Sequence, residues 1–92
     1  MEILELKDFA QDGAFFEDFF DARFAAFDWQ RFDDQAVRVS NCGITDVPGW
    51  VYLSIGIELS RRARKIFFGD KHNPRKLFTR VTDTNSRAKH EA

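Results

Sequence analysis

Val51-Tyr52-Leu53-Ser54-Ile55-Gly56-Ile57-Glu58-Leu59 is the stretch on which the fold turns. Five apolar side chains, Val51, Leu53, Ile55, Ile57 and Leu59, alternate with Tyr52, Ser54, Gly56 and Glu58. Such alternation puts one set on each face of a strand, so the stretch is read as β with one face in the core. Gly56 within it marks a bulge or the close approach of another element.

Upstream, Gln35 to Ser40 reads as a short strand with Val37 and Val39 on one side. Asn41 to Gly49 supplies turn chemistry in Asn-Cys-Gly and Pro-Gly. Before these, the chain predicts one long helix reaching to Phe32. Its apolar arc carries Phe15, Phe16, Phe19, Phe20, Ala22, Phe24, Ala26 and Phe27, with Glu17, Asp18, Asp21, Asp28 and Arg31 opposite. Asp12, or Asp8 with Gln11 three residues on, is placed to cap its start.

Downstream, Ser60 to Phe68 is read as a short basic helix capped by Ser60 and ended by Gly69. The competing reading keeps only Ile66 to Phe68 as strand. Asp70 to Pro74 is a loop, and Lys76 to Thr82 is a final strand with Leu77, Thr79 and Val81 on one face. Together these predict an α+β fold. A long N-terminal amphipathic, Phe-rich helix packs on a small antiparallel sheet of about three strands, with the basic helix before the last strand. Residues 1–83 form one domain, and 84–92 form a mobile polar tail.

Composition limits the functional classes. A hydrophobic share of 43% among 92 residues supports one core, and no apolar run approaches a membrane span. The start, Met1-Glu2-Ile3-Leu4-Glu5, lacks the basic lead of a secretory signal, and Cys42 is the single cysteine. A cytoplasmic location is the expectation. The net charge of -1 hides a division. Met1 to Asp34 carries ten acidic and three basic residues, whereas Ser60 to Arg80 carries eight cations against Asp70. Those cations are Arg61, Arg62, Arg64, Lys65, Lys71, Arg75, Lys76 and Arg80. The plain alternative is mutual neutralisation by packing of the two segments.

Arginine-rich clusters suit phosphates, because arginine offers planar paired donors and each neutralised phosphate releases counterions. The eight cations are therefore assigned to a nucleic-acid or acidic partner. The apolar arc of the first helix covers roughly 200°, more than one contact surface requires. Phe20, Phe24 and Trp29 near its edges, with Arg23 projecting into the arc itself, are the candidates for a protein interface, including a homodimer.

No catalytic constellation is legible. Cys42 and His72 lack a third group to orient the imidazole, His72 and His90 do not have metal-site spacing, and the five glycines stand singly. The expectation is a protein with no enzymatic activity and no cofactor or metal. It would engage a nucleic acid or nucleoprotein complex through its basic stretch, in the manner of a phage- or plasmid-type inhibitor of a host nucleic-acid enzyme. The alternatives are a small DNA- or RNA-binding regulator, and a protein-directed antitoxin, immunity protein or chaperone.

Overall fold

A computed structural model describes residues 1–41 and 43–80. Cys42, the end of the expected last strand and the expected tail at 84–92 lie outside the described residues. The fold is α+β, with strands β1 (Glu2–Glu5), β2 (Ala36–Ser40), β3 (Lys65–Phe68) and β4 (Arg75–Thr79) and helices α1 (Glu17–Ala26) and α2 (Gly49–Arg62). Short 3-10 turns at Leu6–Phe9 and Trp29–Phe32 flank α1. The strands form one mixed sheet in the order β1-β2-β3-β4. β1, β2 and β3 are parallel, and β3 and β4 form an antiparallel hairpin.

The expected strand at Val51 to Leu59 is a helix. Two parallel neighbours cannot be joined by a tight turn, so the chain between β2 and β3 must cross over the sheet, and α2 is that crossover. Its residues satisfy both periods. Val51, Ile55 and Leu59 recur every four positions and are buried, while Leu53 and Ile57 are 67% and 57% exposed. β-branched residues have a helix propensity only slightly below average, and tertiary packing overrides it. Gly56 is thus a helix-interior glycine and not a bulge. The expected helix at Ser60 to Phe68 is also corrected: it divides into the last turn of α2 and the strand β3. Arg61 and Arg62 consequently lie at the C-terminal end of a helix, where the dipole favours cations.

The expected long helix, capped at Asp8 or Asp12 and reaching to Phe32, is shortened at both ends to Glu17–Ala26. Asp12 and Gly13 both have positive φ (51° and 80°), and Gln11 and Ala14 exchange backbone hydrogen bonds of 2.8 and 3.0 Å across them. This is the mirror-image turn that Asp-Gly favours, and it cannot lie within a helix. Phe16 is still extended, so α1 begins only at Glu17. The sheet has four strands, is mixed where an antiparallel one was expected, and gains β1 from residues that precede the expected helix. β4 covers Arg75–Thr79 within the expected Lys76 to Thr82 region.

Both helices cover the same sheet face, since Phe20 of α1 meets Trp50 of α2 edge-on with ring centroids 4.9 Å apart. Leu4, Val37, Val39 and Ile66 bring that face into the core. An aromatic cluster closes the end under α1. Phe9, fully buried, sits 5.6 Å from Phe20, 5.1 Å from Phe27 and 5.9 Å from Trp29. The buried indole of Trp29 donates to the Phe24 carbonyl at 2.8 Å, so it leaves no polar group unsatisfied. Among the described residues no helix lies over the opposite face. Ile3, Arg38, Phe67 and Lys76 form one row across all four strands there.

Between β3 and β4, Asp70 Oδ1 accepts the backbone N–H groups of His72 and Asn73 at 2.9 and 3.0 Å. Those bonds, that from Asn73 first and that from His72 second, hold the Asp70 carboxyl below the usual carboxylate range. A depressed folded-state value stabilises the fold above the unfolded-state value and ceases to do so as pH falls through the folded one. Asp70→Asn is therefore expected to lower the urea midpoint at neutral pH. The gap from wild type should close as the pH falls below about 4, where the native carboxylate also becomes protonated. A gap that stays constant into acid would refute this role.

Candidate nucleic-acid interface

The eight cations of the basic stretch divide into two groups by position. At the end of α2, Arg62 donates from Nε to Glu58 Oε2 at 2.8 Å and from Nη1 to Asp33 Oδ1 at 3.1 Å. Those hydrogen bonds, Glu58 first and Asp33 second, push the Arg62 guanidinium still further towards the charged form. Arg61 lies 3.6 Å from Glu58, and Arg64 lies 3.8 Å from Asp34. Arg80 donates from Nη2 to the Ser60 and Ala63 carbonyls at 2.8 and 3.0 Å, satisfying backbone acceptors that end α2. Arg61, Arg62 and Arg80 line an open hollow of about 530 Å³ with Asp33, Asp34 and Glu58. Acidic and basic segments meet here, and their charges largely offset one another.

The other four cations lie on the β3–β4 hairpin. Lys65 begins β3, Lys71 is at the loop, and Arg75 and Lys76 stand opposite Phe68 and Phe67 at the start of β4. Lys71, Arg75 and Lys76 are exposed and Lys65 is half-buried. None of the four is within ion-pair distance of a carboxylate among the described residues. Cations on an edge strand also deter unwanted sheet extension, so their position alone has a structural use. Arg38, on the bare sheet face, donates from Nη1 to the Gly69 carbonyl at 2.7 Å and so fixes the base of the hairpin loop.

The candidate protein-interface residues are not together on the surface. Phe20 and Trp29 are buried in the aromatic cluster, Phe24 is half-buried against Trp29 with ring centroids 4.8 Å apart, and Arg23 is exposed with its Nε on the Asp8 carbonyl at 3.0 Å. The large apolar side chains most open to solvent are elsewhere: Leu53 and Ile57 on α2, Leu77 on β4, Phe16 before α1, and Met1. The sequence carried a signal for the first pair. Glu58 and Arg62 are spaced i, i+4 in the favourable order for a helix, and a helix leaves Leu53 and Ile57 outside.

Among the described residues no three His, Cys, Asp or Glu side chains gather around a point that one metal ion could occupy. No helix among them is long and apolar enough to cross a membrane. Neither the curated proteins nor the solved structures contain a match to this chain. A family profile does match it, over residues 1–90, and the chain belongs to that family, described as protein of unknown function (DUF2480).

Proposed function

We propose that this is a non-catalytic binding protein that holds a nucleic acid, or the nucleic acid of a nucleoprotein complex, through the β3–β4 hairpin. The observation that carries this reading is the division of the cations. Arg61, Arg62, Arg64 and Arg80 are engaged by carboxylates or carbonyls of the fold, whereas Lys65, Lys71, Arg75 and Lys76 have no carboxylate partner among the described residues. Four cations along a hairpin can displace the counterions of about four phosphates. The basic stretch of the sequence is thereby narrowed to Lys65, Lys71, Arg75 and Lys76.

The test is a salt titration of binding to bare duplex DNA and to single-stranded RNA. With four phosphate contacts, log K is expected to fall against log salt with a slope of about -3.6 for duplex and about -2.8 for single strands. Reversing Lys71, Arg75 and Lys76 to glutamate should remove most of that slope and most of the affinity. Glutamate protects a sheet edge as well as lysine does, so the variant keeps the structural use of charge and loses only the phosphate contacts. Absence of binding by the wild-type chain at about 50 mM salt, or binding unchanged by the reversal, would overturn the reading.

A further inference from the structure

The sheet face away from α1 and α2 carries Phe67 among cations. Phe67 follows the buried Ile66 in β3, so it projects to the opposite side, and it takes no part in the core. Its side chain is half-buried. Among the described residues its ring is paired with no other aromatic ring and has no cation over it. In register, Arg38 on β2 and Lys76 on β4 stand on either side of it. Each is one strand spacing away, about 4.8 Å. Lys65 lies on the same face two residues earlier in β3. None of the three is within ion-pair distance of a carboxylate among the described residues.

The strand ends add the opposite polarity. Because β1, β2 and β3 are parallel, their carboxyl ends lie together, and a hollow of about 370 Å³ opens there beside Arg38. Its walls include Glu5, Ser40, Asn41, Asp70 and Lys71. The bond from Arg38 Nη1 to the Gly69 carbonyl, 2.7 Å, holds the guanidinium between Phe67 and this hollow. Two carboxylates make the hollow a poor place for phosphate. They suit hydrogen-bond donors instead, such as the amino groups of bases and the hydroxyls of ribose. Towards β4 and the start of β3, Lys76 and Lys65 supply positive charge. An aromatic ring with acceptors on one side and cations on the other matches a single nucleotide.

We infer that this face binds single-stranded nucleic acid. One base stacks on Phe67, its donors turn towards the hollow, and the flanking phosphates lie on Lys65 and Lys76. Open four-stranded sheets bearing aromatic side chains hold unpaired bases in this way. Stacking requires a base whose face is bare, which a duplex does not offer. Charge complementarity selects this occupant, since an apolar or cationic partner would leave Arg38, Lys65 and Lys76 without counter-charge. The inference rests on the hairpin's phosphate binding and deepens it: the cations attract any nucleic acid, and Phe67 selects the single strand.

The test compares a fluorescein-labelled oligo(A) of about 12 nucleotides with a duplex of the same length at matched salt, using the full chain. Phe67→Ala and Phe67→Leu are each expected to weaken single-strand binding about 10- to 100-fold. Duplex affinity and both salt slopes should stay close to wild type, whereas the hairpin charge reversal lowers both affinities. Phe67→Leu keeps an apolar side chain at the position, so its urea midpoint should remain near that of wild type. Phe67→Tyr retains the ring and should bind as wild type does. A single strand carrying 5-iodouracil should photocrosslink to the peptide that contains Phe67. Single-strand binding indifferent to Phe67→Leu, or crosslinks confined to other peptides, would overturn the inference and leave the hairpin reading standing. That is also the outcome if residues 81–92 or a protein cover this face. A wild-type chain that binds neither oligonucleotide would sink both.

Discussion

Ile55→Asp is expected to unfold the chain, whereas Leu53→Asp, two residues earlier, is expected to leave it folded. Ile55 is 2% exposed under α2, and Leu53 is 67% exposed on the other side of the same helix. Aspartate at position 55 removes an apolar side chain worth about 1.5–3 kcal/mol of burial. It also places a carboxylate where no cation is at hand, which costs several kcal/mol more, whether it stays charged or takes up a proton. A chain of this size has a total stability of roughly 5–14 kcal/mol, so the sum approaches the whole. At position 53 the carboxylate remains in water and the fold loses little. Far-ultraviolet circular dichroism and urea midpoints distinguish the two. Equal damage at both positions is what a strand would give, and it would refute the helix.

The second large effect belongs to Phe9→Ala. Phe9 is fully buried and touches Phe20, Phe27 and Trp29, so its ring ties the first 3-10 turn to α1 and to the second turn. Its removal leaves a cavity among rigid rings that cannot readily collapse, at an expected cost of about 3–5 kcal/mol. For a domain of this length that lowers the melting temperature by roughly 15–30 °C. Phe16→Ala, at a side chain 54% exposed, is expected to shift it by only a few degrees. Calorimetry of the pair measures the difference directly. Comparable shifts would mean that the aromatic cluster is not centred on Phe9.

Some of this architecture was legible in the sequence and some was not, for physical reasons. The α+β class, β2, the hairpin loop and the location of a helix rich in phenylalanine follow from local patterns. What local patterns do not contain is strand direction. A sequence in which Val51, Leu53, Ile55, Ile57 and Leu59 are all apolar meets the two-residue period of a strand and, through Val51, Ile55 and Leu59, the four-residue recurrence of a helix. The parallel pairing of β2 with β3 decides between them, and that is a long-range contact. At the other end, Asp12-Gly13 is a turn signal, but Asp12 equally suits the cap of a helix, and that reading hides the extended residues before Glu17. The candidate site shows the same limit. The eight cations are evident in the sequence, yet which of them face Asp33, Asp34 and Glu58 depends on bringing residues 33 and 62 together.

The parallel order of the first three strands also governs how this chain must assemble. Glu2 pairs with Val37 and Val37 with Ile66, whereas Phe68 pairs with Arg75 only seven positions on. Pairings between distant residues require long loops to be closed before any contact repays that entropy, and chains dominated by them fold slowly. The hairpin is the one part of the sheet free of this delay. β1 is in the opposite situation: during synthesis it emerges first, and its partner follows more than thirty residues later. Until then Ile3, Leu4 and Leu6 stand beside an unpaired backbone, the combination that recruits strands from other chains. The interval in which β1 is open to foreign strands is therefore set by the time β2 takes to arrive.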